Sequence, residues 1–551
     1  MTETDPAFHT RVRTALDREV GEILGEDAGR WRQMQHRRLA ERVKSLAAAW
    51  RLTGDPAVLP PARELIGLLR GLQNPSGLFR GGDNVDSPPD SAFSVNDLAD
   101  AAQLLHGRDA VGDELADLLA SMTPALVKGG VHTPNHRWEL SAALARLHRL
   151  DPRPEIAARV AQWLAEGVDI EDGLWSERSP NYAAYVSNPS LLTIADVFDR
   201  PDLAAAVEQN LTATLDLLLP DGTVETVLSR RQDQRWPVPL RAYLLPLRLL
   251  AVRRGRGDLA WAAGLALEQG IESPGNAAAA LLLTPDVGRP LPEPQAPPVS
   301  RRRHFAAAGT VVDHAPARSA VVFGGSDHAR HQRIRSGLAN SPTFLRLYAG
   351  AAVLDSARLS RVFFGLGPFR SGGLTVDGDT VALDEAVSAA YYQPLAGADL
   401  QEQGRYAVTD DGRFSAAMDF ARRARDEVTL STAVRVTMTE TGADLAVEVS
   451  GAVVDWSLEL AFRPGGTLSG ATASGDDRWQ LTTGTATYRV GGDALSVTVV
   501  ESPETPAEAG PGYHPGEEYE FLAGTDAAGG VRLYVTGKAP GRLRLRIAAA
   551  G

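Results

Sequence analysis

Residues 132–139 read His-Thr-Pro-Asn-His-Arg-Trp-Glu, and residues 177–185 read Glu-Arg-Ser-Pro-Asn-Tyr-Ala-Ala-Tyr. The first run has the form of a helix entrance. Thr133 suits the N-cap, Pro134 the first helical position, and Leu140, Ala143 and Leu147 continue the apolar spacing. Asn135 and His136 then fall in the first turn, where free backbone N–H groups and the positive end of the helix dipole attract anions. Glu139, three residues after His136, shares its face and is expected to orient the imidazole. Tyr182 and Tyr185 arrive at a second entrance. An amide, an imidazole and a tyrosine pair are the groups a carboxylate-bearing substrate needs. Taken singly, a first-turn Asn or His is a capping or surface group, and a tyrosine between helices is packing.

The elements that must position these groups change character along the chain. Helices are expected over 9–24, 33–52, 60–72, 94–107, 111–122, 134–149, 153–166, 189–199, 201–218, 237–253, 257–270 and 275–283. They come as pairs, although no clean sequence repeat accompanies the spacing. Helical hairpins recurring at this length make a solenoid or a closed ring, with an irregular helical domain as the plain alternative. Prolines crowd 285–298, which suits an extended tether. Beyond Arg301-Arg302-Arg303 the period becomes two, with strands expected over 320–323, 343–348, 427–438, 444–449, 457–462, 485–490, 494–500 and 541–547. Many short antiparallel strands imply a sandwich.

Composition narrows the function classes. A chain of 551 residues suits two or three domains, and 44% apolar with 23% charged residues is ordinary for a soluble globular protein. A formal net charge of −13 argues against a nucleic-acid partner. With no cysteine, disulfides and thiolate metal sites are excluded. The N-terminal residues show no basic stretch followed by an apolar core, so a cytoplasmic location is expected. Apolar stretches such as 243–252 are too short or too interrupted by arginine to span a bilayer. No phosphate-cradling glycine loop and no nucleophile elbow occur, and the histidines lack metal spacing apart from His328 and His331. No metal and no cofactor are expected, and the oligomeric state is left open between monomer and homodimer.

Asn135-His136-x-x-Glu139 followed by Glu177-x-Ser-Pro-x-Tyr182, in a helical half that precedes a strand-rich half, resembles the heparinase II/III-like polysaccharide lyases and the alginate lyases built on the same toroid. Residues 343–355 are similar to the strand pair that opens that family's sandwich. The resemblance implies a multidomain α and β protein: an N-terminal α/α toroid of helical hairpins over 1–284, a proline-rich linker over 285–303, and a C-terminal antiparallel β-sandwich over 304–551. It also implies a carbon–oxygen lyase acting on an anionic, uronate-containing oligo- or polysaccharide such as a glycosaminoglycan or alginate. Asn135 and His136 match the family's first active-site helix, Tyr182 its catalytic tyrosine and Tyr185 the second tyrosine position. The family's His-x-His-x-Asp before the strand pair is replaced here by Ser336-Gly-Leu-Ala-Asn340, although Asp355 remains. One acid is not a metal site. His331, with His328, is the nearest group to supply the missing histidine; a pair capping a surface loop is the plain alternative.

Such an enzyme removes the proton next to the sugar carboxylate and expels the oxygen on the adjacent carbon. Asn135 and His136 are expected to neutralise the carboxylate as charge develops, with Tyr182 as general acid and, on suitably configured sugars, general base. A phenol needs nearby cations to ionise, and His136, Arg230 and Arg231 are the local candidates. Arg230 and Arg231 also suit bidentate carboxylate or sulfate binding. Glu139, Tyr185 and Asn84, the last in a long polar segment over 81–97, complete the expected substrate-binding set. Asp90 with Asp97 or Asp172 supports a rival reading, a toroidal glycoside hydrolase with paired aspartates. A non-catalytic carbohydrate-binding protein is the third.

Overall fold

The computed structural model describes residues 3–515 and 528–550. Its backbone forms two compact units. One comprises the chain up to Leu218 with Gly222–Val224 and Val238–Pro297; the other comprises Leu219–Asp221, Glu225–Pro237 and the chain from Pro298 on.

In the helical unit, α1 (Pro6–Leu24) and α2 (Ala28–Trp31) precede a series of hairpins. These are α3 (His36–Thr53) with α4 (Leu59–Gly71), α5 (Pro88–Leu105) with α6 (Ala110–Lys128), and α7 (Pro134–Leu150) with α8 (Pro154–Leu164). Then come α9 (Pro180–Tyr182) and α10 (Asn188–Phe198) with α11 (Pro201–Asp216), and α12 (Leu244–Arg254) with α13 (Gly257–Glu268). Finally α14 (Pro274–Leu283) packs back on α1 and α3, closing the ring of an α/α toroid. Inner helices are sheathed by apolar neighbours: Leu140 and Leu144 of α7 are 0% exposed. Truncating either to alanine costs roughly 2–5 kcal/mol.

Contacts between inner helices show their direction. Arg37 and Lys44 of α3 meet Asp90 and Asp97 of α5 in order. Asn96 and Asp100 of α5 meet Glu139 and Arg146 of α7. Glu139 and His148 of α7 meet Ser190 and Phe198 of α10. Partners that advance together mean parallel helices, so α3, α5, α7 and the α9–α10 run all begin at one end of the ring.

A repeat marks these beginnings. Ser87-Pro88, Thr133-Pro134 and Ser179-Pro180 supply the N-cap and first residue of α5, α7 and α9, in steps of 46 residues from Pro88 to Pro134 and from Pro134 to Pro180. The third helical position is then Asp90, His136 and Tyr182 in turn. Proline at this position sacrifices no hydrogen bond, because the first N–H groups of a helix have no intrahelical partner. α5 therefore starts at Pro88, six residues before the expected 94: Ser87 accepts from the Asp90 N–H at 3.2 Å, and its hydroxyl donates to the Asp90 carboxylate at 2.7 Å. The α9–α10 run also starts earlier than expected, because a π-helical turn over Ala183–Ser187 joins its two parts. Conversely, the helix expected from 237 begins only at Leu244, after Val238–Pro239 pairs as a strand with Thr223–Val224 and residues 240–243 form a 3₁₀ turn.

The second unit is a β-sandwich. One sheet, in spatial order, holds Thr375–Asp377, Thr380–Tyr392, Arg425–Met438, Gly442–Gly451, Gly541–Ala550, Asp493–Glu501, Thr485–Val490 and Thr467–Ser469. The other holds Thr472–Gly475, Arg478–Gln480, Arg532–Lys538, Asp455–Phe462, Ala352–Arg361, Leu345–Ala349, Arg318–Phe323, Thr310–Ala315 and Arg301–Phe305. Pairing is antiparallel apart from Arg478–Gln480 beside Arg532–Lys538. Leu347, Leu359, Val434, Leu445 and Leu458 belong to its common apolar core. The buried Arg361 guanidinium links one sheet to Thr432 and Glu385 of the other at 2.7 and 2.6 Å.

The proline-rich stretch differs from the expected free tether. Arg248 donates to the carbonyls of Val287 and Arg289, and the Gln295 N–H to that of Gly257, which pins the segment to the helical unit. Arg301 opens a strand inside the stretch read as linker, because Arg302 pairs with Asp313 and Asp379.

Candidate active site

The helix entrances gather a polar cluster at one end of the toroid. On α7, the Thr133 hydroxyl donates to Asn135 Oδ1 at 2.9 Å. In this arrangement the amide nitrogen is turned away from Thr133. Asn135 is 1% exposed, and its Nδ2 has no hydrogen-bond partner among the described residues. A buried donor left unsatisfied costs about 1–3 kcal/mol, a cost that an acceptor on a ligand would remove. His136, buried beside it, meets His132 edge to face with ring centroids 4.7 Å apart, and Phe93 of α5 at 6.2 Å. The Arg37 guanidinium lies 3.8 Å above the Phe93 ring and ion-pairs with Asp90.

Tyr182 occupies the next entrance. The Ser179 hydroxyl oxygen accepts from the Tyr182 N–H at 3.1 Å, and Tyr243 donates its hydroxyl to the Pro180 carbonyl at 2.6 Å. The π turn that follows packs against α7. Single π turns recur at functional sites because the extra residue re-aims the side chains around it. Here the turn leaves Tyr185 43% exposed, its hydroxyl donating to Glu272 at 2.6 Å. Burial and then the Glu272 carboxylate raise the Tyr185 phenol well above its ordinary value. Tyr185 is thereby unsuited to ionise.

Several expected partners are different. Glu139 does not hold His136: it accepts from Asn96 at 2.6 Å and Ser190 at 3.2 Å, tying α5, α7 and α10 together. Burial pushes its carboxyl up to about 7 against the pull of Asn96, Arg146 and Ser190. Asn84 donates to Asp90 at 3.1 Å. Asp90 itself is pushed up by burial, but Ser87, Asn84 and Arg37 outweigh that and hold it below the usual carboxylate range. Asp97 is ion-paired to buried Lys44, so each of Asp90 and Asp97 has a cation of α3 as its partner.

Arg230, Arg231 and His331 belong to the second unit. Arg230 forks onto Asp327 at 2.9 and 3.1 Å, so its guanidinium supports that unit's own structure. Arg231 is buried, with its N–H donated to Ser229. His331 lies exposed in the short helix α15 (His328–His331), while burial, then Arg370, lowers His328 to about 4. In the Ser336–Asn340 stretch, Asn340 is buried: its side chain donates to the Arg335 and Leu338 carbonyls and its N–H to Gln234 at 3.0 Å. Asp355 pairs with Arg463 at 3.1 Å. No group of three or more metal-ligating side chains occurs among the described residues, and no helix there is long and apolar enough to cross a membrane.

Sequence reasoning missed Arg37, Phe93, Arg241, Tyr243 and Glu272 as neighbours of the site. The Ser/Thr-Pro steps at 87, 133 and 179 were the available signal for the shared entrances.

No family model matches this sequence, and no curated protein does. Solved structures are similar over nearly the whole chain. A mutant of the heparan sulfate lyase HepC from Pedobacter heparinus aligns with a TM-score of 0.50 at 12% identity, covering 92% of this chain and 76% of that one. A xanthan lyase from Paenibacillus aligns with a TM-score of 0.52 at 10% identity, covering 99% of this chain and 56% of that one. The chain has the toroid-plus-sandwich fold of the heparinase-like polysaccharide lyases.

Proposed function

We propose that this protein is a lyase that cleaves uronate-containing glycans by β-elimination. The observation that carries the reading is the buried, unsatisfied Asn135 amide beside His136, at the entrance next to that of Tyr182. A uronate carboxylate supplies the acceptor Asn135 lacks. As the proton on C5 is removed, negative charge spreads into that carboxylate, and preorganised donors at a helix N-terminus stabilise it. Tyr182 moves the protons: ionised, it takes the C5 proton; protonated, it delivers one to the O4 leaving group. The C4–O4 bond breaks, a C4=C5 double bond forms, and the products are a new reducing end and an unsaturated uronate.

The test is absorbance near 235 nm during incubation with a panel of uronate polymers and oligosaccharides. An increase that depends on Tyr182 supports the reading. Glycan cleavage without that chromophore, dependent on Asp90 or Asp97, would replace it with the hydrolase.

A further inference from the structure

The entrance of α12 lies beside the Tyr182 turn, held there by the Tyr243–Pro180 hydrogen bond. Two residues before Tyr243, Arg241 presents a guanidinium 38% exposed and 4.0 Å from Glu272, which precedes α14. Arg241 makes no side-chain hydrogen bond among the described residues. Glu272 spends one oxygen on the Tyr185 hydroxyl at 2.6 Å and is one-third exposed. An exposed aromatic ring, a carboxylate and a guanidinium therefore stand together three residues along from Tyr182.

We propose that Tyr185, Glu272 and Arg241 form a subsite for an uncharged, hydroxyl-bearing sugar next to the uronate being cleaved. This rests on the lyase reading above. A sugar's vicinal hydroxyls each donate and accept: Glu272 only accepts, Arg241 only donates, and the Tyr185 ring offers a face for the sugar's C–H groups. Glu272 offsets the Arg241 charge, so a sulfate or second carboxylate at this position gains no net attraction and loses the hydroxyl contacts. The substrate class is then a chain in which uronate alternates with a neutral, unsulfated sugar. Arg241 opposite a carboxylate is a poor anion trap, because the pair is neutral overall.

The experiment measures calorimetric binding of two tetrasaccharides with the same glucuronate–N-acetylhexosamine backbone, one unsulfated and one O-sulfated on the N-acetylhexosamines. The protein is the full chain carrying Tyr182→Phe, alone or with Glu272→Gln or Arg241→Ala. Both added positions are about a third exposed, so the fold is retained, as a thermal melt confirms. The unsulfated sugar is expected to bind at least about tenfold tighter. Glu272→Gln should close most of that gap, and Arg241→Ala should weaken the unsulfated sugar about tenfold. Equal affinities, or a gap that Glu272→Gln leaves unchanged, overturn the subsite while leaving the lyase intact. Wild-type protein that releases no 235 nm product from either sugar, together with no binding, overturns the lyase reading itself.

Discussion

Thr133 donates its hydroxyl to Asn135 Oδ1 at 2.9 Å, which leaves the buried Asn135 Nδ2 to be met by a ligand. The N-cap residue is not used as a cap: its side chain accepts no helix N–H. Asn135→Asp keeps the shape but exchanges the donor for a charge. Turnover should fall about 10²–10³-fold, the usual loss for a preorganised oxyanion donor. Thr133→Val frees the amide to flip and should cost less, about tenfold. Steady-state kinetics at 235 nm checks both, and equal effects would mean that Thr133 acts on more than Asn135.

Tyr182 immediately precedes the π turn and Tyr185 lies within it. Tyr185 is committed to Glu272, and its phenol is raised. Tyr182→Phe should therefore abolish proton transfer, a loss of ~10²–10⁴-fold in kcat, with the thermal midpoint nearly unchanged. Tyr185→Phe should act mainly on KM. Retention of more than about a tenth of wild-type kcat by Tyr182→Phe would remove tyrosine from the chemistry.

Glu139 and His36 give the helical unit opposing pH dependences. Burial raises Glu139 from 4.5 to about 7, so the folded protein keeps a proton that the unfolded chain has released. Stability should fall as pH rises across that window, by up to about 3 kcal/mol. His36, bonded to Ser94 at 2.7 Å and stacked on Phe79, is lowered from 6.5 to about 4, by burial first and Arg37 second. The stability it contributes is present above 6.5 and lost as pH falls toward 4. Thermal midpoints at pH 5 and pH 8 separate the two. Glu139→Gln should gain more, relative to wild type, at pH 8 than at pH 5, and an equal displacement at both would show that ionisation is not responsible.

Arg230 and Asp327 should behave as one structural clamp. Asp327 also accepts the Ala339 N–H at 2.8 Å, so the pair anchors the turn that carries Asn340. A double-mutant cycle over Arg230→Ala and Asp327→Ala is expected to show a coupling of about 1–2 kcal/mol in stability. Additive stability effects, with KM raised only by Arg230→Ala, would return Arg230 to substrate binding.

What the chain encodes locally was legible in it. The α7 entrance at Thr133-Pro134, the apolar periods of the helical half and the period of two after residue 300 all act through neighbours a few residues apart, and the structure has them as expected. The Ser/Thr-Pro entrances were equally local, but α5 was read as starting late because Pro88-Pro89-Asp90 also has the chemistry of a turn. Which groups meet was decided elsewhere. Glu139 takes Asn96 and Ser190, 43 and 51 positions away, rather than His136 three positions away. Arg230 takes Asp327, 97 positions away. Residues three apart on a helix are only potential partners, whereas a buried charge must be satisfied by whatever the packed neighbouring element presents. Helix direction, ring closure and strand order set that choice, and they exist only once the chain has folded.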